Sequence, residues 1–232
     1  VLAVGPVSDP RLVLGVLRVG AVDFVDETSI ETELPPAFDR LNSLRGGRRD
    51  PGRSVVVLGP SGGSGVSTVA ANLALALARS NERCLAVDLN SRSGDLAAMF
   101  DLSPSHTLSD LCRNPTRIDQ VLFEQSLSKH LSGVSVLASP RSFGAMHSEE
   151  ALTRVFDVGR TLFPRIVVDG DSRIPDEHFG VLRSADIILV ALRLEFNSLR
   201  NAKGLLEHLE RNGVDPKRIL LVANRVGQPK EI

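Results

Sequence analysis

Six short, mainly apolar runs recur after position 53: Ser54 to Leu58, Cys84 to Leu89, Val134 to Ala138, Arg165 to Asp169, Asp186 to Leu192 and Arg218 to Ala223. Between them lie stretches with helical spacing. A strand that is apolar along its length, and not at alternate positions, has both faces covered. Strands of this kind alternating with helices specify an α/β fold with a doubly wound, mostly parallel sheet, whose ligands gather at the strands' carboxyl ends. Three of those ends carry residues suited to a nucleotide.

The first is "VVVLGPSGGSGVST", Val55 to Thr68. Gly62, Gly63 and Gly65 allow backbone N–H groups to turn toward phosphate oxygens, and the helix expected from Thr68 to Ala78 adds partial positive charge at its N-terminus. The Ser67 hydroxyl is placed to coordinate Mg²⁺, and Thr68 to reach an α-phosphate oxygen. Gly62, Gly63, Ser64, Gly65, Val66, Ser67 and Thr68 are therefore the expected phosphate cradle. The alternative is a glycine-rich turn that holds no ligand.

The second and third ends are Asp88, in "AVDLNSRSGDL", and Asp169, in "RIVVDGD". With Ser67 they form the expected Mg²⁺ site, the metal held directly or through water. One aspartate at a strand end reads equally well as a helix cap; two beside a glycine-rich loop favour the metal. A weaker signal is Asn224-Arg225 at the end of "LLVANRV", where the Asn amide can read an adenine ring.

"RGGRRDPGR", Arg45 to Arg53, combines paired glycines, Pro-Gly and four arginines with no apolar residue. It reads as a solvated linker. Three regions follow: 1–45, a linker at 46–53, and 54–232. In the first, strands are expected at Leu2 to Val4 and Ala21 to Asp26, with a helix after Asp9-Pro10 that Asp9 caps and Gly20 stops, and a second helix from about Ile30 to Leu44. "VLRVGAVDFVDETSIETELPPAF" resembles the closing half of a response-regulator receiver domain. The strand of the phosphoacceptor aspartate is not in it, and Asp26-Glu27 stand where receivers place Lys-Pro. The resemblance implies a degenerate receiver half that serves structure or docking.

Composition excludes several classes. The formal net charge of -1 gives no basic face for non-specific nucleic acid, so no specific nucleic-acid partner is expected. Two cysteines without partner spacing fit a reducing compartment, and Cys84 reads as a small core residue. No apolar run approaches the roughly 20 residues of a membrane-spanning helix. A bacterial tyrosine kinase with this loop would carry tyrosines to phosphorylate, and the chain has none. "SLRNAKGLLEHLERNG" is amphipathic, with Leu199, Leu205, Leu206 and Leu209 expected in the core. The chain opens at Val1 and not at Met, which reads as part of a longer protein.

Together the loop, the two aspartates and the Asn-Arg pair resemble the deviant-Walker ATPases of the MinD/ParA superfamily. Its loop, K-G-G-x-G-K-[ST]-T, becomes Ser61-Gly62-Gly63-Ser64-Gly65-Val66-Ser67-Thr68, so both lysines are replaced. Its D-x-D becomes Asp88-Leu89-Asn90; Asp169 matches the Walker B aspartate, and Asn224-Arg225 the adenine edge. "VDLNSRSGDLAAMFDLSPSHTLSDLCRNPTRID", "GVSVLASPRS" and "ADIILVALRLEFNSLRNAKGLLEHL" are similar, in order and spacing, to pilus-assembly localisation proteins of the CpaE/TadZ type, which also carry a receiver-like domain in front.

The resemblance implies ATP or ADP with Mg²⁺ as cofactors, a homodimer, and pilus or related secretion assembly proteins as partners. It places the protein in the cytoplasm, peripheral at the inner membrane face or at a cell pole, and implies that 54–232 is C-terminally incomplete. Phe143 and Met146 fall in a loop where superfamily members form dimer contacts. The departures bear on mechanism. Ser61 and Val66 cannot supply the lysines' charge-assisted contacts, each worth roughly 1.5–3 kcal/mol. One cation at a γ-phosphate is worth roughly 10³ to 10⁵ in rate, and the Asn90 amide cannot act as a base toward water. The expectation is a hydrolysis-poor scaffold that still binds nucleotide. The alternatives are a weak ATPase using another cation, such as Arg92 or Arg141, and a protein-only adaptor whose loop has collapsed onto its own glycines.

Overall fold

The computed structural model describes residues 2–21, 23–30, 32–33, 37, 51–79, 83–90, 94–140 and 147–227. Most of the helix expected at 30–44, linker residues 46–50, Arg92, Arg141, Phe143 and Met146 lie outside the described residues. The chain divides into two compact units, 1–49 and 50–232.

In the first unit β1 (Leu2–Gly5) and β2 (Asp23–Asp26) pair in parallel, with Leu2 opposite Asp23, and the Pro10–Arg18 helix connects them. Asp9 caps that helix as expected: its carboxylate accepts from the N–H groups of Arg11 and Leu12 at 3.0 and 3.2 Å. Gly20, at φ +100°, takes the left-handed turn that ends it.

The second unit is built on a seven-stranded sheet in the order β5-β6-β4-β7-β3-β8-β9. Its strands are β3 (Arg53–Leu58), β4 (Cys84–Asp88), β5 (Ser128–Lys129), β6 (Val134–Leu137), β7 (Arg165–Asp169), β8 (Ile187–Arg193) and β9 (Ile219–Asn224). All neighbours are parallel except β5, which pairs antiparallel with β6. The two-residue β5 has no apolar run to announce it. The six expected strands are present, each within one residue of its expected ends.

Alternate side chains feed two cores, one on each face of the sheet. Val56 and Leu58 of β3 join Leu85, Val87, Ile166 and Val168 on one face, under Leu152, Val155, Phe156 and Leu182 of the covering helices. Val57 joins Ala86, Val136, Val167 and Ala191 on the other, beneath Ala70, Ala71, Ala74 and Ala78 of the Val66–Ala78 helix. Four alanines on one face let this helix lie close to the sheet, so the loop leading into it is held against the strand ends. Burying each large aliphatic side chain contributes roughly 1.5–3 kcal/mol.

Of the Phe196–Arg211 helix, Leu209 is fully buried, and Leu205 and Leu206 pack partly against the first core. Leu199, expected with them, is 41% exposed, because it lies in the first turn, only six residues after the end of β8 at Arg193. β9 is an edge strand, and Leu220 and Leu221 on it are exposed.

Candidate functional site

The glycine-rich loop leaves the buried end of β3 at Leu58 and closes at Gly65, the left-handed cap of the Val66–Ala78 helix at φ +92°. The helix therefore begins two residues before the expected Thr68, and Ser67 and Thr68 lie within its first turn. The first intrahelical bond runs from Val69 N–H to the Gly65 carbonyl at 2.9 Å. The N–H groups of Val66, Ser67 and Thr68 precede it and have no acceptor within the helix. Gly62 and Gly63 are exposed, Gly63 at φ +80°, and a Cβ on either would meet nothing within 4 Å. The loop thus has open space beside both of these glycines.

Two side chains hold its shape. Ser64 is buried, and its Oγ donates to the Ser61 carbonyl at 2.8 Å. Val66 is partly buried against the core that contains Val57, Ala70 and Ala191. Its Cγ2 lies so close beneath the loop that a Cβ on Gly59 would stand 2.6 Å from it. The residue at this position therefore packs under the cradle and offers it no charge.

Asp88 and Asp169 meet beside the loop, paired in register at the ends of β4 and β7. Both are buried, but their surroundings differ. Asp88 Oδ1 accepts from Asn90 N–H at 2.9 Å and Oδ2 from Leu96 N–H at 3.1 Å. Burial pushes the Asp88 carboxyl up to about 6, and these two bonds hold it back from rising further. Neither Asp169 oxygen has a hydrogen-bond partner among the described residues. Burial, and then the charge of Asp88, push Asp169 up to about 7. The neighbouring Ser67 hydroxyl favours its charged form, yet makes no bond of ordinary length to it. Asp95 and Asp171 add further negative charge.

An ionised, buried carboxylate without a partner is unfavourable by several kcal/mol. A proton or a hard cation removes that cost. The carboxylate pair and the Ser67 hydroxyl offer oxygen donors of the kind Mg²⁺ takes, and the residues fit that ion. Among the described residues no group of three or more His, Cys, Asp or Glu is arranged to hold a metal. The remaining Mg²⁺ ligands would then be water and phosphate oxygens, as is usual for this ion at nucleotide sites. Gly170 lets the chain turn tightly after Asp169: a Cβ there would stand 2.4 Å from Leu58 Cδ2 and 2.9 Å from the Val57 carbonyl.

Asn224 also reaches the loop. Asn224 Nδ2 donates to the Ser64 carbonyl at 2.9 Å, across 160 residues of sequence, and its Oδ1 accepts from Arg225 N–H at 2.9 Å. Arg225 itself is exposed at φ +58°. Sequence reasoning had no signal for the Asn224–Ser64 contact. It also missed two buried histidines. His147 Nε2 lies 2.8 Å from Ser109 Oγ, and burial holds both His147 and His178 below the usual imidazole value.

A family model described as the CobQ/CobB/MinD/ParA nucleotide binding domain matches residues 55–232. In sequence the chain is 26% identical over 197 residues to the kinase-type protein EpsB of Ralstonia solanacearum, covering 81% of this chain. It spans only 26% of EpsB's own length. The structure of a ParA family ATPase from Chlorobium tepidum TLS superposes with a TM-score of 0.70 at 26% identity, over 75% of this chain and 74% of that one. The septum site-determining protein MinD of Pyrococcus horikoshii OT3, solved with Mg-ADP, superposes at 0.65 with 20% identity, over 78% and 73%. That second likeness bears on the fold alone.

Proposed function

Because this chain belongs to the CobQ/CobB/MinD/ParA nucleotide binding domain family, we propose that its second unit binds ATP or ADP with Mg²⁺ and hydrolyses ATP poorly. The observation that carries the reading is the buried Asp169 carboxylate, without a hydrogen-bond partner among the described residues, beside the glycine loop and the Ser67 hydroxyl. Gly62, Gly63, Ser64, Gly65, Val66, Ser67 and Thr68 hold the phosphates through backbone N–H groups and the two hydroxyls of the first helical turn. Asp169, Ser67 and Asp88 hold Mg²⁺; bound there, the ion neutralises the carboxylates and draws the phosphate oxygens to the loop. Asn224 and Arg225 border the side where the base would lie.

Poor hydrolysis follows from position 66. Its side chain packs under the loop, so this position gives the cradle dipoles and no lysine for the charge that develops in the transition state. Nucleotide then acts as a structural ligand that sets a conformation or a dimer.

The wider role we propose is that of a CpaE/TadZ-type scaffold, a homodimer that places a pilus or related secretion machine at the inner membrane face or a cell pole. The text from Val87 to Asp119 and the stretches quoted above support it, as does the order of the regions, 1–45 resembling part of a receiver and 54–232 following a linker. No helix among the described residues is long and apolar enough to cross a membrane.

Calorimetric titration of Mg-ADP into the full chain, beside a Gly62→Glu variant, tests the binding. Gly62 has open space and an ordinary φ, so Glu brings a negative charge to the loop, where it repels phosphate, without straining the backbone. Binding by the parent and not by the variant is expected. Silence from the parent at millimolar nucleotide overturns the reading.

A further inference from the structure

We infer that Asn224 is a positioning residue that clamps the phosphate loop through the Ser64 carbonyl, so that it acts on the phosphates through the loop. The inference rests on the nucleotide-site reading above and concerns what keeps the cradle open.

Three contacts converge on one peptide. Ser64 Oγ donates back to the Ser61 carbonyl at 2.8 Å, which curls the loop. The Ser64 carbonyl, on the opposite side of the same residue, accepts from Asn224 Nδ2 at 2.9 Å. A Cβ on the next residue, Gly65, would stand 2.1 Å from that nitrogen, so the Asn224 amide occupies the space against which Gly65 makes its left-handed turn. The amide cannot rotate freely either, because its Oδ1 is held by Arg225 N–H at 2.9 Å.

The strand order explains how a residue so distant in sequence comes to do this. β8 pairs with β3, which feeds the loop, and β9 pairs with β8 with Asn224 opposite Arg193. The clamp therefore ties the last residue of an edge strand to the loop that leaves a central one. A carbonyl fixed in this way turns the peptide plane between Ser64 and Gly65, with its N–H on the side opposite Asn224. A loop without a lysine depends on its N–H groups to hold phosphate, so the orientation of that peptide counts for more here than where a cation shares the load. Loss of one neutral hydrogen bond changes an equilibrium by about two- to tenfold.

The test is Asn224→Ala in the full chain, read in two ways. Hydrogen exchange without nucleotide should quicken by about two- to tenfold at the amides of 62–66 and stay unchanged in β3 and β7. Gly65→Ala, which strains the same peptide, should add less exchange in the Asn224→Ala background than in the parent. In titrations, Asn224→Ala should weaken both Mg-ADP and Mg-tripolyphosphate, which has no base. Loss confined to ADP would assign Asn224 to the base and overturn the clamp, as would unchanged loop exchange. If neither ligand binds the parent, the nucleotide reading fails while the exchange result still decides the clamp.

Discussion

Asp88 and Asp169 stand opposite each other as the last residues of adjacent parallel strands, one carboxylate satisfied by two backbone N–H groups and the other, among the described residues, by none. The sheet thus brings two like charges together in its interior and neutralises neither. A cost of that kind is retained where a ligand removes it.

Asp169→Asn should therefore stabilise the ligand-free protein while abolishing its response to Mg²⁺. The Asp169 carboxyl is raised from 3.8 to about 7, so folding disfavours its charged form. The cost is absent below pH about 4, grows as pH rises, and is complete above pH about 7. Thermal melts of parent and variant should coincide in acid and separate above neutrality, the variant being more stable by on the order of 1–2 kcal/mol. Mg-ADP should raise the melting temperature of the parent only. A variant less stable than the parent at pH 8 would show that Asp169 has a partner the account lacks.

Val66→Lys should tighten ATP binding by ten- to a hundredfold, the worth of one charge-assisted contact at roughly 1.5–3 kcal/mol. The substitution also withdraws an apolar side chain from the core of Val57, Ala70 and Ala191, so the unliganded protein should lose stability. Titration and melting of the same preparation separate the two effects. Unchanged affinity would mean that the side chain at 66 cannot leave its place under the loop.

His178 should make stability fall in mild acid. Burial lowers its folded value below the ordinary 6.5, against Glu177 and Asp171, which raise it, and with His147, which lowers it further. The unfolded chain then binds more protons between the two values. Its stabilising contribution is complete above pH 6.5 and is lost as pH falls toward the lower folded value. Chemical denaturation across this range should show a shallower slope for His178→Gln. His147→Gln should flatten it as well and cost about 1 kcal/mol besides, through the lost Ser109 contact.

The strands were legible because β4 and β7 are apolar for a physical reason, each being covered on both faces, and their terminal aspartates stood out as the polar residues in such runs. The loop was legible because Gly63 and Gly65 adopt positive φ, which glycine adopts without strain. What sequence spacing could not carry were contacts made by the sheet order. Asn224 reaches Ser64 only because β9, β8 and β3 are neighbours, and a pattern read along the chain contains no such adjacency. His147 and Ser109 are likewise joined between separate parts of the chain, Ser109 in the Leu108–Cys112 helix and His147 just before the Glu149–Leu162 helix. The helix begins two residues before the expected Thr68 because the chain turns into it directly at Gly65, with the Val66 side chain packed against the core while its N–H stays at the loop.

The most direct test of the central claim is to incubate the full chain with saturating radiolabelled Mg-ATP and to measure, in one sample, nucleotide bound and phosphate released. The account predicts one nucleotide per chain, recovered as ATP after hours, with release no faster than in the Gly62→Glu variant. Sustained release by the parent that the variant lacks would contradict it, since the reaction would then be completed without a lysine at position 66.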